Sequence, residues 1–189
     1  MNKNEYYRFD SNLNAKIAID EEKAKKGDAD AFGELYELYY KEMYCYACCV
    51  TGSESLAQDA VSDAVLSAFK QIKSLKNSKA FKGWLFRILC AACKRYYTEN
   101  EKKKSLVYLD DENGGHEEPV DFGGIELSFE LKKALETLSV DEREIVLLKV
   151  LGGYKSHEIA DILDCPSSTV RSKYKRSLDK LRNALGGEI

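Results

Sequence analysis

Asp110 to Glu126 reads DDENGGHEEPVDFGGIE, and no other stretch limits so tightly what the chain can fold into. It holds seven carboxylates, four glycines and a proline, with neither Lys nor Arg. A segment of that composition cannot bury a core, so it predicts a flexible, extended tether. On both sides of it hydrophobic residues recur at helical spacing, and the chain has just one other proline, Pro166. The pattern predicts an all-α protein: two small helical domains joined by a flexible acidic linker. The expected divisions are an N-terminal arm at 1–13, a first domain at 14–99, a linker at 100–126 and a second domain at 127–186. The second is small for independent folding but still feasible.

The last quarter carries the most chemistry. In SHEIADILDCPSSTVRSKYKRSLDKLRNAL, Ile159, Ala160, Ile162 and Leu163 make one apolar stripe. Asp164-Cys165-Pro166 breaks it, because proline has no backbone donor and biases its predecessor away from helix. Ser167 or Ser168 can then N-cap a second helix with Val170, Tyr174, Leu178, Leu181 and Leu185 inward. Its other face bears Arg171, Lys173, Lys175, Arg176, Lys180 and Arg182 against Asp179 alone. A short helix, a tight turn and a basic second helix predict a helix-turn-helix, whose second helix enters the DNA major groove N-terminus first. Arg171 and Lys173 lie in the first two turns, where base edges and phosphates come within reach. A solvated amphipathic helix packed on a neighbour is the competing reading.

The first domain reads as four helices. One covers about Asn14 to Lys26 and ends at Gly27. A second starts at Asp28 or Asp30 and runs to Thr51-Gly52. Ser55 with Gln58 offers a capping box for a third, to about Lys73. A polar loop, Ser74 to Lys79, leads into a fourth helix through FKGWLFRILCAACKRYY to about Glu99. Beyond the linker, Leu127 to Thr137 forms a helix. Ser139 and Glu142 then form a capping box for one ending at Gly152-Gly153.

Composition narrows the function classes. No apolar run approaches the roughly 20 residues of a membrane span, and the polar start MNKNEYYRFD lacks a signal peptide's apolar stretch, so a cytoplasmic location is expected. The net charge of -3 gives no hint of nucleic acid; the charge is segregated instead. His116 and His157 belong to no hydrolase, Walker or zincin pattern, so an enzyme is not expected, nor a cofactor or metal. Cys45, Cys48, Cys49, Cys90 and Cys93 sit in apolar helical faces, where free cysteine acts as a small hydrophobe. A zinc or redox site joining the two helices stays open as an alternative.

With these segments in place, the chain resembles the extracytoplasmic-function (ECF) subgroup of bacterial sigma-70-type sigma factors, from about Ile17 to Leu185. LKKALETLSVDEREIVLLKVLGGYKSHEIADILDCPSSTVRSKYKRSLDKLRNAL looks like sigma region 4. AFGELYELYY, SLAQDAVSDAVLSAF and FKGWLFRIL follow in the order and spacing of region 2. The resemblance implies a non-enzymatic initiation factor that binds core RNA polymerase, reads the -35 and -10 promoter elements and assists melting. Domain 14–99 would be region 2 and 127–186 region 4.

The resemblance also implies roles. Gln58, Asp59, Ser62 and Asp63 would dock on the clamp helices of the polymerase's largest subunit, and region 4 on the flap of the second subunit. Lys76, Asn77, Ser78, Lys79, Arg87 and Tyr96 would contact the -10 strand, where melting needs a cationic track and a pocket for an unstacked base. Ser168, Thr169, Arg171, Ser172, Lys173, Lys175 and Arg176, within the helix-turn-helix 156–175, would read the -35 element. The acidic linker would cross the polymerase cleft, or serve as a plain tether. An anti-sigma factor is a possible further partner, and no direct membrane insertion is implied. Trp84 and Phe86 are expected in the core by their spacing with Phe81, Leu85 and Ile88.

Departures from the family pattern are Ser62 for glutamine, Val65 for phenylalanine, Ala91 and Arg95 near the usual asparagine and aspartate, and Asp164 for the turn glycine. Those at Ala91 and Arg95 bear on the -10 contacts more than on the fold. A stand-alone helix-turn-helix regulator remains the alternative function, beside the cysteine-based sensor.

Overall fold

A computed structural model of the chain describes residues 11–77, 80–107 and 128–186. The acidic stretch, Ser78 and Lys79 lie outside the described residues. Among these there are eight α-helices and no strand.

The N-terminal group comprises α1 (Ser11–Lys25), α2 (Ala29–Thr51), α3 (Glu54–Gln71) and α4 (Phe81–Val107), with a 3-10 turn at Ile72–Ser74. Asp28 caps α2 by accepting from the Ala31 N–H at 3.0 Å. Gly52 ends it in left-handed geometry at φ 68°, its N–H donating to the Cys48 carbonyl. Because Gly52 has already turned the chain, the next residue is the cap of α3. Ser53, not Ser55, takes that role, accepting from the Leu56 N–H at 3.5 Å. The fourth helix does not stop near Glu99. Nothing in ENEKKKSLV breaks a helix, and a Glu101–Lys104 pair at 3.7 Å supports the extra turns. Helical structure thus enters the segment assigned to the linker.

The C-terminal group comprises α5 (Phe129–Glu136), α6 (Val140–Val150), α7 (Ser156–Leu163) and α8 (Ser167–Ala184). Ser128 caps α5, and the expected Ser139/Glu142 capping box opens α6. Every residue of α6 from Glu142 to Leu148 is buried. A helix buried all round needs partners on every side. Here α7 and α8 of its own group and α2 of the other group all pack against it. A second contact joins α4 to α7. The two helical groups therefore share a seam instead of standing apart at the ends of a tether.

The core of the N-terminal group includes Leu35, Met43, Phe81, Leu85, Phe86 and Leu89. Trp84 packs partly buried against it, 6.0 Å from Phe81, so its ring serves packing.

Candidate nucleic-acid interface

The helix-turn-helix forms where the sequence places it. α7 stops because Asp164 adopts φ 50°, ψ 53°, its N–H donating to the Ala160 carbonyl. Aspartate tolerates this left-handed geometry better than most residues, which is what the missing turn glycine requires. The cap of α8 differs from expectation. Pro166, extended at φ -61° and ψ 139°, precedes the helix, and Ser167 is its first residue, with no side-chain cap. The Ser167 hydroxyl accepts from Arg171 Nη1 at 3.2 Å instead.

The inward row of α8 is Val170, Ser177 and Leu181, with Tyr174 and Leu185 partly buried. Leu178, expected inward, is 39% exposed. Its neighbour Ser177 takes the inward position because its hydroxyl is satisfied by the Lys173 carbonyl at 2.8 Å. The cationic face divides in two. Ser168, Arg171, Ser172, Lys175 and Arg176 are exposed on the outer face, and Thr169 is half-buried. Lys173 instead turns inward to Asp141, 2.8 Å away, and Lys180 pairs with Glu142 at 2.7 Å.

Of the expected -10 contacts, Lys76 and Asn77 are exposed in the loop before α4. Lys25 pins that loop by donating to the Lys76 carbonyl at 2.9 Å. Arg87 is exposed on α4 and donates through Nη2 to the Asp161 carbonyl in α7. Tyr96 is half-buried, its hydroxyl donating to Asp63 Oδ2 at 2.8 Å. Arg95 donates to the same oxygen at 2.7 Å and lies 5.0 Å from the Tyr96 ring centroid. The reversed charge at Arg95 is therefore balanced within the chain. On α3, Gln58, Asp59 and Ser62 present an exposed polar face, whereas the carboxylate of Asp63 is already engaged.

Between the two helical groups lies a seam that sequence reasoning missed. The Tyr46 hydroxyl of α2 donates to Glu144 Oε1 at 3.2 Å, both buried. Arg143 donates to the Cys49 carbonyl at 3.2 Å and, within its own group, to the Leu135 and Leu138 carbonyls. Lys82 pairs with Glu42 at 3.0 Å and lies 5.3 Å from the centroid of the Tyr154 ring, which packs edge-on against Phe86. Asp141 bridges Lys94 and Lys173. Those two hydrogen bonds hold the Asp141 carboxyl below its usual range, while burial pushes Glu144 up to about 7. One signal could have exposed this seam: VDEREIVLLKV reads as a capped helix with surface charges, yet its apolar residues are too continuous for one exposed face.

Cys45, Cys48, Cys49, Cys90 and Cys93 are buried. Burial pushes the thiols of Cys90 and Cys93 well up, away from reactive thiolate character. Among the described residues no group of three or more His, Cys, Asp or Glu side chains is arranged to hold a metal ion. Nor is any described helix long and apolar enough to cross a membrane.

Comparison with known proteins supplies the frame for these surfaces. The Sigma-70 region 2 family profile matches residues 35–103, and the Sigma-70 region 4 profile matches residues 128–181. The ECF RNA polymerase sigma factor SigW of Bacillus subtilis is 29% identical over 177 residues, covering 85% of this chain and 92% of SigW. The ECF RNA polymerase sigma-E factor of Escherichia coli K12 is 28% identical over 173 residues, covering 86% of this chain and 90% of that relative. Among solved structures, CnrH in complex with the cytosolic domain of CnrY matches with TM-score 0.68 at 20% identity, over 92% of this chain and 99% of that one. The sigma factor RpoE of Bartonella quintana, in complex with the anti-sigma factor NepR, matches with TM-score 0.67 at 25% identity, over 84% and 98%. A basic helix-turn-helix at the C-terminal end, a region 2 helical group before it, and full-length relatives of one kind agree: this chain belongs to the ECF group of the sigma-70 family and is a transcription-initiation sigma factor that binds core RNA polymerase and promoter DNA.

Proposed function

We propose that the work divides along the chain as follows. Residues 14–99 act as region 2, 100–126 as the linker, and 127–186 as region 4. Gln58, Asp59 and Ser62 meet the polymerase clamp, since exposed polar and acidic groups complement a basic partner surface and steer docking. Asp63 acts there indirectly, by holding Arg95 and Tyr96 in place. Lys76, Asn77, Ser78, Lys79, Arg87 and Tyr96 track the -10 strand. Ser168, Thr169, Arg171, Ser172, Lys175 and Arg176 read the -35 element, with Lys173 joining from its position against Asp141. Region 4 also meets the polymerase flap. The protein catalyses no reaction of its own and acts in the cytoplasm. CnrH was solved with the cytosolic domain of CnrY, and RpoE with an anti-sigma factor. A protein of that class is a fitting partner for this chain.

The observation that carries the -35 assignment is the exposed row Arg171, Lys175 and Arg176, set behind the left-handed Asp164 turn at the start of α8. Removing Arg171 and Lys175 together should weaken promoter binding and lower the slope of log K against log salt by about 0.9 for each phosphate no longer neutralised. Unchanged slope and affinity would show that this face does not touch DNA.

A further inference from the structure

We propose that Arg95 sets this chain's affinity for core polymerase: by holding Asp63 it withholds one carboxylate from the docking face of α3. The proposal rests on the polymerase-docking reading of that face given above.

The face is a helical stripe. Asp59, Ser62 and Asp63 stand three and four residues apart on α3, which makes them surface neighbours. Asp59 and Ser62 are exposed, and a basic partner surface is drawn to such a carboxylate. Asp63 has the same charge and the same neighbours, yet its carboxylate is committed. Arg95 Nη2 donates to its Oδ2 at 2.7 Å, and the Tyr96 hydroxyl donates to the same atom at 2.8 Å. A carboxylate oxygen offers about two lone-pair sites, so this one is filled.

The surroundings reinforce the capture. Asp63 lines a groove between α3 and α4 together with three cations, Lys70, Arg87 and Arg95. The Tyr96 ring, its centroid 5.0 Å from the guanidinium carbon, carries Arg95 beside the carboxylate. A guanidinium stacked on an aromatic face is already oriented, so less freedom is lost when it pairs. Arg95 is also where the chain departs from the family pattern, near the usual aspartate. An aspartate there would repel Asp63 instead of holding it.

The pair moderates docking without preventing it. Its two side chains are 52% and 46% exposed, so solvent screens their attraction. A polymerase cation that reached Asp63 would first have to displace Arg95, and the face is left to act through Asp59 and its polar neighbours. By mass action, a moderated affinity makes occupancy of core polymerase follow the amount of factor present.

The test measures binding of the fluorescently labelled full chain to core polymerase by anisotropy. Each variant is first shown by circular dichroism to keep its helicity. Arg95→Gln stands beside Arg95→Ala, so that a folding defect in one leaves the other to decide. Both should bind about two- to fivefold tighter than wild type, the range an exposed ion pair can hold back. Arg95→Lys keeps the charge and should stay close to wild type. In an Asp63→Asn background the gain from Arg95→Ala should vanish. A gain that persists there would overturn the proposal, because it would show a general effect of net charge. Unchanged or weaker binding by both neutral variants would overturn it as well. Asp59→Lys in the same assay judges the docking reading separately. If it binds as wild type does, the α3 face does not meet polymerase; if it weakens while the Arg95 variants fail to tighten, only the role of Arg95 falls.

Discussion

Glu144 offers a prediction whose size follows from its surroundings. Glu144 is 2% exposed, and its carboxyl accepts a hydrogen bond from Tyr46 of α2. Cys90, Cys93 and Lys94 face it from α4, Asp141 from its own helix and Lys173 from α8. Burial dominates and lifts its pKa from the ordinary 4.5 to about 7. A carboxyl raised on folding binds its proton more tightly in the folded state. Its favourable contribution is complete below about pH 4.5 and is lost as pH rises through about 7. At ~1.4 kcal/mol per pH unit the loss over that window is roughly 3 kcal/mol. Glu144→Gln keeps an acceptor for Tyr46 and cannot ionise. The variant should therefore be more stable than wild type at pH 8, by about 1–3 kcal/mol, and should match it near pH 5. Urea unfolding at half-unit steps from pH 5 to 8 measures the difference. The lowered carboxyls Asp141 and Glu142 lose their contribution only below the ordinary carboxylate range, outside this window. A wild-type-minus-variant difference that stays flat across the window would refute the buried, proton-holding Glu144.

Gly152→Ala should destabilise the C-terminal group by about 1–3 kcal/mol in chemical denaturation, since overpacking forces backbone to shift. A Cβ there would stand 2.4 Å from the Tyr154 ring and 2.8 Å from the Leu148 carbonyl, and an unchanged midpoint would show that this loop yields freely. Asp59→Lys should impair association with core polymerase while leaving the melting temperature unchanged, because Asp59 is exposed. Asp63→Ala should also disturb the α3/α4 contact by freeing Arg95 and Tyr96, seen as faster amide exchange around Tyr96.

The helices and the helix-turn-helix were legible because their signals are local. Gly52, the Ser139/Glu142 box and the Asp164 turn each act within a few residues of where they stand. Caps were harder. Ser53 and Ser55 are equally good caps in the sequence, and only the position of Gly52 decides between them. Lys173 and Leu178 were misplaced because helical spacing gives a face, not a neighbour: Asp141 draws one side chain inward, and Ser177 displaces the other. The seam was illegible because it joins residues about 100 positions apart, such as Tyr46 and Glu144. Most of its acceptors are backbone carbonyls at or near helix ends, which take hydrogen bonds from Arg143, Arg87 and Lys82 and leave no mark in the side-chain pattern.

The most direct trial of the protein as an initiation factor is transcription by core RNA polymerase on a promoter library, with and without the purified chain, mapping start sites by sequencing. Start sites that depend on the chain should appear, share two upstream elements at a fixed spacing, and fade when Arg171 and Lys175 are both replaced by Ala. Folded protein that leaves the pattern of core polymerase unchanged would contradict it.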